Sequence, residues 1–167
     1  MCTIGHINID NFFCIFKNRD NYGASTWKQR FENIEHEGVR MTVFRDEPVK
    51  AEGMNEYWVV FVRASLAPPN PLTGYETTLE ENFSFLVSQT ADELVEKMTS
   101  LKTNRGSYII ADANKVYILE VISGKCEIKE LTQQSNYVTT NHGRLIPGQQ
   151  AYDCLLYTSD AADDETS

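Results

Sequence analysis

Short apolar runs in the first part of the chain predict a β-hairpin. Ile4, Ile7 and Ile9 form one run, and residues 12–16 (Phe-Phe-Cys-Ile-Phe) form the next. Asn8, together with the Asp-Asn pair that follows Ile9, is typical of a tight turn between two strands. Because the second run is apolar at every position, we expect it to be a buried strand.

The middle of the chain alternates between polar segments and predicted strands. Residues 21–38 are polar and mixed, and we expect a loop with a helical turn there. Residues 39–44 predict a strand, and the long apolar run over 57–62, which contains Trp58, predicts a central strand with its aromatic residues packed. Three of the five prolines fall within 67–71, which predicts an irregular loop.

Two helices are predicted after this loop. The first runs over 77–89, with a threonine as its cap. The second begins with Thr90 and Glu93, which have the spacing of a capping box. Apolar residues then recur at helical spacing over 94–101, so this is the more strongly patterned helix.

The last predicted elements are strands with short turns between them. Residues 107–111, 116–122 and 126–131 predict three strands, and 136–140 a short fourth one. Strands are thus followed by helices and then by strands again. This order indicates an α+β fold with antiparallel sheets rather than repeated βαβ units.

Composition narrows the class of protein. The chain has 167 residues, which is enough for one domain with a hydrophobic core, and its net charge of −9 argues against a nucleic-acid partner. No apolar run has the length of a membrane span, and the start lacks the pattern of a secretory signal. Four cysteines without CxxC spacing and three histidines argue against a disulfide framework or a zinc site. We therefore expect reduced thiols and a cytoplasmic location, and we do not expect the protein to bind a membrane.

The final segment departs from the rest of the chain. Residues 154–167 end in an acidic stretch that continues no pattern and resembles a translated sequencing adapter. A genuine acidic tail is the alternative. We expect residues 1–153 to be the N-terminal portion of a longer domain, and 154–167 to be a non-native tail.

The most reactive candidate is Cys2. If Met1 is removed, one residue carries both a thiol and a free α-amino group. The amine titrates at about 7.7–8.0 and is a base suited to neutral pH, held beside a thiol with a reference pKa of about 8.5. A nucleophile paired with an N-terminal amine is a known way of activating a weak nucleophile. The alternative is that Cys2 is an ordinary thiol in a buried strand.

Arg19 and Asp20 end the second strand of the predicted hairpin, which returns them toward Cys2. An arginine there would lower a thiol pKa or hold a substrate carboxylate, and an aspartate would accept a hydrogen bond from the α-amine. A solvated ion pair in a turn is the alternative.

Four motifs occur in a characteristic order: Met1-Cys2-Thr3, then 16–20 (Phe-Lys-Asn-Arg-Asp), 53–56 (Gly-Met-Asn-Glu) and 137–142 (Tyr-Val-Thr-Thr-Asn-His). Together they resemble the N-terminal-nucleophile (Ntn) hydrolases of the choloylglycine hydrolase and penicillin acyltransferase type. The likeness is greatest to the isopenicillin-N acyltransferase-like branch and extends over most of 1–153.

The resemblance implies a fold and a set of catalytic residues. The fold would be an αββα sandwich of two antiparallel sheets between helical layers. Cys2 would be the nucleophile with its α-amine as base, and Arg19 and Asp20 would orient nucleophile and substrate. Asn141 would match the late asparagine that donates a hydrogen bond to the oxyanion.

Two further positions follow from the same resemblance. Ser65 falls near the second oxyanion position, where bile-salt hydrolases carry asparagine, and Asn55 lies in the motif at 53–56; both are expected to bind substrate. The adjacency of Arg19 and Asp20 also departs from the family, in which this pair is often separated. Serine at position 65 argues against a bile-salt substrate, and the adjacency of Arg19 and Asp20 leaves their individual roles open.

The implied activity is cleavage of a non-peptide amide bond by a cysteine amidohydrolase or acyltransferase through an acyl-enzyme. It needs a small-molecule amide or acyl substrate and no cofactor, and it leaves homo-oligomerisation open. A class II glutamine amidotransferase is an alternative, although those proteins typically start Cys-Gly-Ile and Thr3 differs. A non-catalytic trafficking or metabolite-binding protein of the same fold, or an inactive fragment of such an enzyme, also remains open.

Other candidates have simpler interpretations. A Cys–His dyad with His6 or His142 is disfavoured because the α-amine already supplies a base. Cys14 is expected to be a core residue of the buried second strand, and Cys126 a structural residue in a late strand. Glu120 is expected to be a structural carboxylate rather than a catalytic one.

Overall fold

The structure of the chain is a computed structural model. The described residues are 2–9, 12–19, 29–46, 50–64, 66, 79–101, 106–122, 125–132, 135–140 and 144–146. They form ten strands and two α-helices, and every strand pair among them is antiparallel. The predicted α+β class with antiparallel sheets is therefore confirmed. Neither of the described helices is long and apolar enough to cross a membrane.

The strands form one small and one large sheet. The small sheet has the order β10-β1-β2, and the large sheet runs from β3 to β9 in sequence order. The small sheet contains β1 (Cys2–Ile9), β2 (Phe12–Arg19) and β10 (Tyr137–Thr139). The large sheet contains β3 (Gln29–His36), β4 (Val39–Asp46), β5 (Lys50–Asn55), β6 (Val60–Ala64), β7 (Gly106–Ala111), β8 (Val116–Ile122) and β9 (Lys125–Leu131). The helices are α1 (Leu79–Leu86) and α2 (Ala91–Ser100).

Strands β7 and β8 form the centre of the molecule, because both are buried at every position. Alternate side chains of a strand point to opposite faces of its sheet. On one face, Tyr108 and Leu119 belong to the cluster formed with the two helices. On the other face, Ile109 and Ile118 belong to a second cluster, which includes Ile4 of the small sheet. The large sheet therefore lies between a helical layer and the small sheet.

The β1–β2 hairpin is held by paired positions along its whole length, from Cys2 opposite Arg19 to Ile9 opposite Phe12. Ile4 contributes to the cluster between the sheets and lies on the same face of β1 as Cys2. On the opposite face, the Phe16 ring lies over Gly5, where an added Cβ atom would be 2.2 Å from Phe16 Cε1. Gly5 thus leaves the space that this ring occupies.

The start of α2 agrees with the predicted capping box. The Glu93 N–H donates to Thr90 Oγ1 at 3.2 Å, and the Glu93 carboxylate accepts from the Gln89 N–H at 2.8 Å. Asp112, in the turn between β7 and β8, also accepts from the Ala91 N–H at 2.8 Å. The predicted helix over 77–89 is present as α1, and the late predicted strands correspond to β7, β8, β9 and β10.

Two predictions for the middle of the chain were wrong. Within the segment expected to be a loop, Gln29–His36 form the edge strand β3, and Phe31 on it is 76% exposed. The predicted strand over 57–62 begins only at Val60, because the preceding residues form a turn. Trp58 in that turn has a φ of 64° and is 66% exposed, so it is not a packed strand residue. The proline-rich loop and the segment 154–167 lie outside the described residues.

Candidate active site

Cys2 is the first residue of β1 and lies at the edge of the interior between the two sheets. Its half-buried side chain packs against the cluster that contains Ile4, Ala64 and Ile109. The inward-facing apolar residues of β1 and β2 hold this strand end against the large sheet. A thiol at such a position combines a fixed location with partial solvent access, which are both required of a nucleophile.

Arg19 is the partner of Cys2 in the hairpin register. The structure describes the backbone of Arg19, and it brings this residue beside the nucleophile candidate, as the sequence predicted. Asp20 lies outside the described residues, as do Ser65 and Asn141.

The described neighbours of Ser65 and Asn141 nevertheless lie near the β1 end of the sandwich. Ala64 is fully buried in the same cluster that Cys2 contacts. Thr139 is the partner of Ile4 in the β1–β10 ladder, two residues before Asn141. These described residues thus join β6 and β10 to the layer that carries Cys2.

Asn55 has a different environment from the one expected of a substrate-binding residue. Its side-chain amide donates to the carbonyl oxygens of Leu86 and Ser88 at 2.7 and 2.6 Å. Its Oδ1 accepts from the N–H groups of Tyr57 and Val59, both at 3.0 Å. An asparagine side chain has two donor hydrogens and two acceptor lone pairs, so backbone groups use all of them. The structure therefore corrects the expectation: Asn55 holds the β5–β6 turn against the end of α1.

A buried ion pair that the sequence analysis did not identify joins the two sheets. Lys17 of β2 pairs with Glu52 of β5, and both side chains are largely buried. Glu52 also accepts from the backbone N–H of Arg63 at 3.1 Å, near the point where β5 and β6 stop pairing. This carboxylate thus fixes the relative position of β2 and β6. In the sequence, Lys17 alternates with the inward-facing apolar residues of β2. This alternation was the signal that the Lys17 side chain points into the interior.

Glu120 is a structural carboxylate, as the sequence predicted, and it has a specific set of partners. It is fully buried on the face of β8 that carries Ile118. It accepts from three consecutive backbone N–H groups, those of Arg144, Leu145 and Ile146, at 2.7 to 3.0 Å. No feature of the sequence indicated that these three residues would be its partners.

The histidine alternatives to the α-amine receive no support from the described residues. His6 is buried, and its Nδ1 lies 2.9 Å from the carbonyl oxygen of Ser135. It is four residues from Cys2 along one strand, a separation of about 13 Å. That is too far for a proton transfer between the two side chains. His142 lies outside the described residues.

The other described cysteines have contrasting environments. Cys14 is exposed, which corrects the expectation that it packs in a buried strand. Cys126 is half-buried against the cluster on the helical face of the large sheet. Burial raises the pKa of the Cys126 thiol, and the negative charge of Glu127 raises it further. A higher pKa leaves less thiolate at neutral pH, so Cys126 is a poor competitor for electrophiles.

No group of three metal-binding side chains occurs among the residues described in the structure. Comparison with known proteins gives no assignment: no family model matches the chain, and no curated protein sequence matches it significantly.

Proposed function

We propose that the protein is an N-terminal-nucleophile amidohydrolase or acyltransferase with Cys2 as its nucleophile. The observation that carries the proposal is the position of Cys2. This residue begins β1, packs against the cluster between the two sheets and is paired with Arg19. The α-amine freed by removal of Met1 provides the base.

The layer order supports the fold that this function requires. A helical layer, a large antiparallel sheet and a smaller antiparallel sheet follow one another, and they correspond to three successive layers of an αββα sandwich. We propose the Ntn arrangement for this chain on that basis. We propose the reducing cytoplasm as its location, because none of the three described cysteines forms a disulfide.

The proposed reaction begins with attack of Cys2 Sγ on the carbonyl carbon of a small-molecule amide. The α-amine accepts the thiol proton, and the carbonyl π electrons move to oxygen to give a tetrahedral oxyanion. When this intermediate collapses, the C–N bond breaks and the amine leaves with the proton from the α-ammonium group. Water then hydrolyses the thioester, or a second amine accepts the acyl group.

Asn141 is the proposed oxyanion donor, with Ser65 as a second contributor. Thr139, two residues before Asn141 in the sequence, is paired with Ile4 of the strand that carries Cys2, and this pairing supports the proposal. One such donor typically contributes roughly 2.7–4 kcal/mol to stabilisation of the transition state.

The first test is the intact mass of the purified chain before and after treatment with a chloroacetamide probe. We expect Met1 to be absent and a single adduct to form rapidly. The adduct should be lost in Cys2→Ala and kept in Cys14→Ala, which removes the exposed thiol. Retention of Met1, or equal labelling with and without Cys2, would contradict the proposal.

The second test measures release of 4-nitroaniline from phenylacetyl-4-nitroanilide. We expect turnover by the wild type and by Cys14→Ala, and none by Cys2→Ala. A thioester adduct of Cys2 trapped by acid quenching would identify the acyl-enzyme. If Cys2 alkylates rapidly but no N-acyl 4-nitroanilide or lactam is cleaved, the result favours a binding protein of the same fold.

A further inference from the structure

Strand β3 forms one edge of the large sheet. Among the residues that the structure describes, β4 is the strand paired with it, and all eight residues of Gln29–His36 are paired one to one. Proline, lysine and bulges commonly keep an edge strand from pairing with another chain. Strand β3 has none of the three, whereas β9 at the other edge carries Lys125 and Lys129. The edge at β3 is therefore the one suited to pairing.

The turn between β3 and β4 determines which main-chain groups point away from β4. Its two residues, Glu37 and Gly38, both have a positive φ, 51° and 79°, as in the type I′ turn of a two-residue hairpin. In a β-turn the first carbonyl accepts from the fourth N–H, so His36 and Val39 form a hydrogen-bonded pair. Hydrogen-bonded pairs alternate along an antiparallel ladder. The main-chain groups of the odd-numbered residues of β3 therefore point away from β4.

The side chains of these odd-numbered residues are accessible as well. Phe31 is 76% exposed, and Asn33 and Glu35 are also exposed. The Phe31 ring centroid lies 5.1 Å from that of Phe44, so the two rings form a small apolar surface beside the edge. An accessible edge with outward-pointing main-chain groups and an adjoining apolar surface fits the addition of another strand.

The charges of β3 indicate that the added strand is a second copy of β3 itself. A twofold-symmetric antiparallel pair has one residue opposite its own copy. If that residue is Phe31, Arg30 lies opposite Glu32 of the second copy, and the reverse pair is identical. If it is Glu32, two carboxylates face each other, and if it is Asn33, Phe31 lies opposite Glu35. Of these three registers, the first joins opposite charges and brings apolar side chains together.

We propose that two copies of the protein associate through β3, with Phe31 opposite Phe31. The two large sheets then form one continuous sheet, and the odd-numbered residues of both strands supply its hydrogen bonds across the interface. On one face the ring pair of Phe31 and Phe44 meets the same pair of the second copy. On the other face each Glu32 carboxylate, which contacts Arg30 and Arg45 of its own chain, gains Arg30 of the second copy.

Sedimentation velocity of the purified full chain measures the association. An interface built on one strand and its neighbours is small, so we expect a reversible dimer at about 100 μM rather than a permanent one. Lys129→Glu reverses a charge on the opposite edge strand β9 and should leave dimerisation unchanged. A wild-type chain that stays monomeric at this concentration refutes the proposal.

Charge reversal tests the pairing of Arg30 with Glu32. Arg30→Glu places like charges opposite each other at both symmetric positions, and so does Glu32→Lys. Each variant alone should therefore dimerise more weakly, by about tenfold or more. In an equimolar mixture of the two variants both pairs again join opposite charges, and a heterodimer should form with near wild-type affinity. Mixing does not repair a folding defect, so failure of the mixture to associate, or unimpaired association of the single variants, refutes this pairing.

Disulfide formation tests the position of the symmetry axis. The Cα atoms of a hydrogen-bonded pair are about 5.5 Å apart, which is within reach of a disulfide. In a Cys14→Ala background, which lacks the exposed thiol, Phe31→Cys should give a covalent dimer under mild oxidation. Asn33→Cys in the same background places its two Cα atoms about 14 Å apart and should not cross-link. Cross-linking of Asn33→Cys but not of Phe31→Cys refutes the register, and these outcomes do not depend on the chemistry of Cys2.

Discussion

Cys2 and Arg19 are directly opposite each other at one end of the β1–β2 ladder. The hairpin therefore brings together a candidate nucleophile and a positively charged residue that are separated by 16 intervening residues in the sequence. The inner face of the same hairpin is fixed by Ile4 within the intersheet cluster and by the ion pair of Lys17 with Glu52. Because of this pairing, substitution of Arg19 is the most direct test of whether its charge affects Cys2.

Arg19→Gln should slow the alkylation of Cys2. A positive charge stabilises a thiolate, so its removal from the residue paired with Cys2 should leave the thiol less reactive. We expect the rate of iodoacetamide labelling of Cys2 at neutral pH to fall by about threefold or more. The control is Lys129→Gln, which removes an exposed positive charge from β9. Equal labelling rates for wild type and Arg19→Gln would show that Arg19 does not act on the thiol.

Asn55→Ala should be strongly destabilising, because it removes an amide that serves four buried or partly buried backbone groups. Each buried group left without a partner costs about 1–3 kcal/mol, and a loss of roughly 3 kcal/mol or more in the free energy of unfolding is expected. Asn33→Ala removes an exposed amide that accepts one hydrogen bond from Thr42, and it should cost less than about 0.5 kcal/mol. Urea unfolding of both variants provides the comparison. Equal stabilities would contradict the structural role of Asn55.

Gly53→Ala should destabilise the protein more than Gly5→Ala. An added Cβ at Gly53 would be 2.2 Å from the Thr42 carbonyl oxygen and 2.8 Å from Val43 Cα, and both are backbone atoms. At Gly5 the obstructing atoms belong to the outer edge of the Phe16 ring, which can rotate away. Overpacking typically costs about 1–3 kcal/mol, and we expect Gly53→Ala at or above the upper end. Thermal unfolding that ranks the two variants in the reverse order would contradict this account.

The elements with strong periodic patterns were predictable from the sequence. In α2, the capping box and the helical spacing agree with each other, and both are present in the structure. Strands β7 and β8 are apolar on both faces, as their position between two packed layers requires. Local patterning was sufficient in these cases because burial and propensity favour the same structure.

Strand β3 was missed because Ile34 is the one aliphatic residue on its face that packs against the core. Glu32 pairs with Arg45 at 2.8 Å, and Phe31 lies against Phe44 at a ring-centroid distance of 5.1 Å while remaining exposed. Such a strand is specified by its partner β4 rather than by its own pattern. The prediction for Trp58 was wrong for the opposite reason. An apolar residue favours a strand, but Trp58 lies in a turn that the Asn55 side chain holds.

The site was predictable only where the hairpin determines it. The proximity of Cys2 and Arg19 follows from the register of one tight hairpin, which depends on nearby residues alone. The Leu86 partner of Asn55, the Glu52 partner of Lys17 and the Arg144 partner of Glu120 lie from 24 to 35 residues away along the chain. Such contacts depend on how layers pack, and no periodicity within one segment encodes them.

Asp112→Ala should destabilise α2 more than Thr90→Ala. Asp112 accepts from the N–H groups of Ala91, Asn114 and Lys115, at 2.7 to 2.9 Å, whereas Thr90 accepts one bond from Glu93. Loss of a single threonine cap costs about 1 kcal/mol, and loss of the three-donor acceptor should cost roughly 2–3 kcal/mol. Chemical denaturation, with the helical signal followed by circular dichroism, measures both. A smaller effect for Asp112→Ala would show that the β7–β8 turn does not support α2.

Cys126 should react with iodoacetamide more slowly than Cys14 in the native protein. Cys14 is exposed, whereas burial raises the pKa of Cys126 and the Glu127 charge raises it further. Removal of that negative charge in Glu127→Gln lowers the pKa of Cys126, so its labelling should accelerate. Because burial is the larger cause, Cys126 should still label more slowly than Cys14 in this variant. Peptide mapping of the labelled protein by mass spectrometry measures both rates, with the unfolded chain as the reference in which the two cysteines react similarly. Equal native rates would contradict the packing of Cys126 against the helical face of the large sheet.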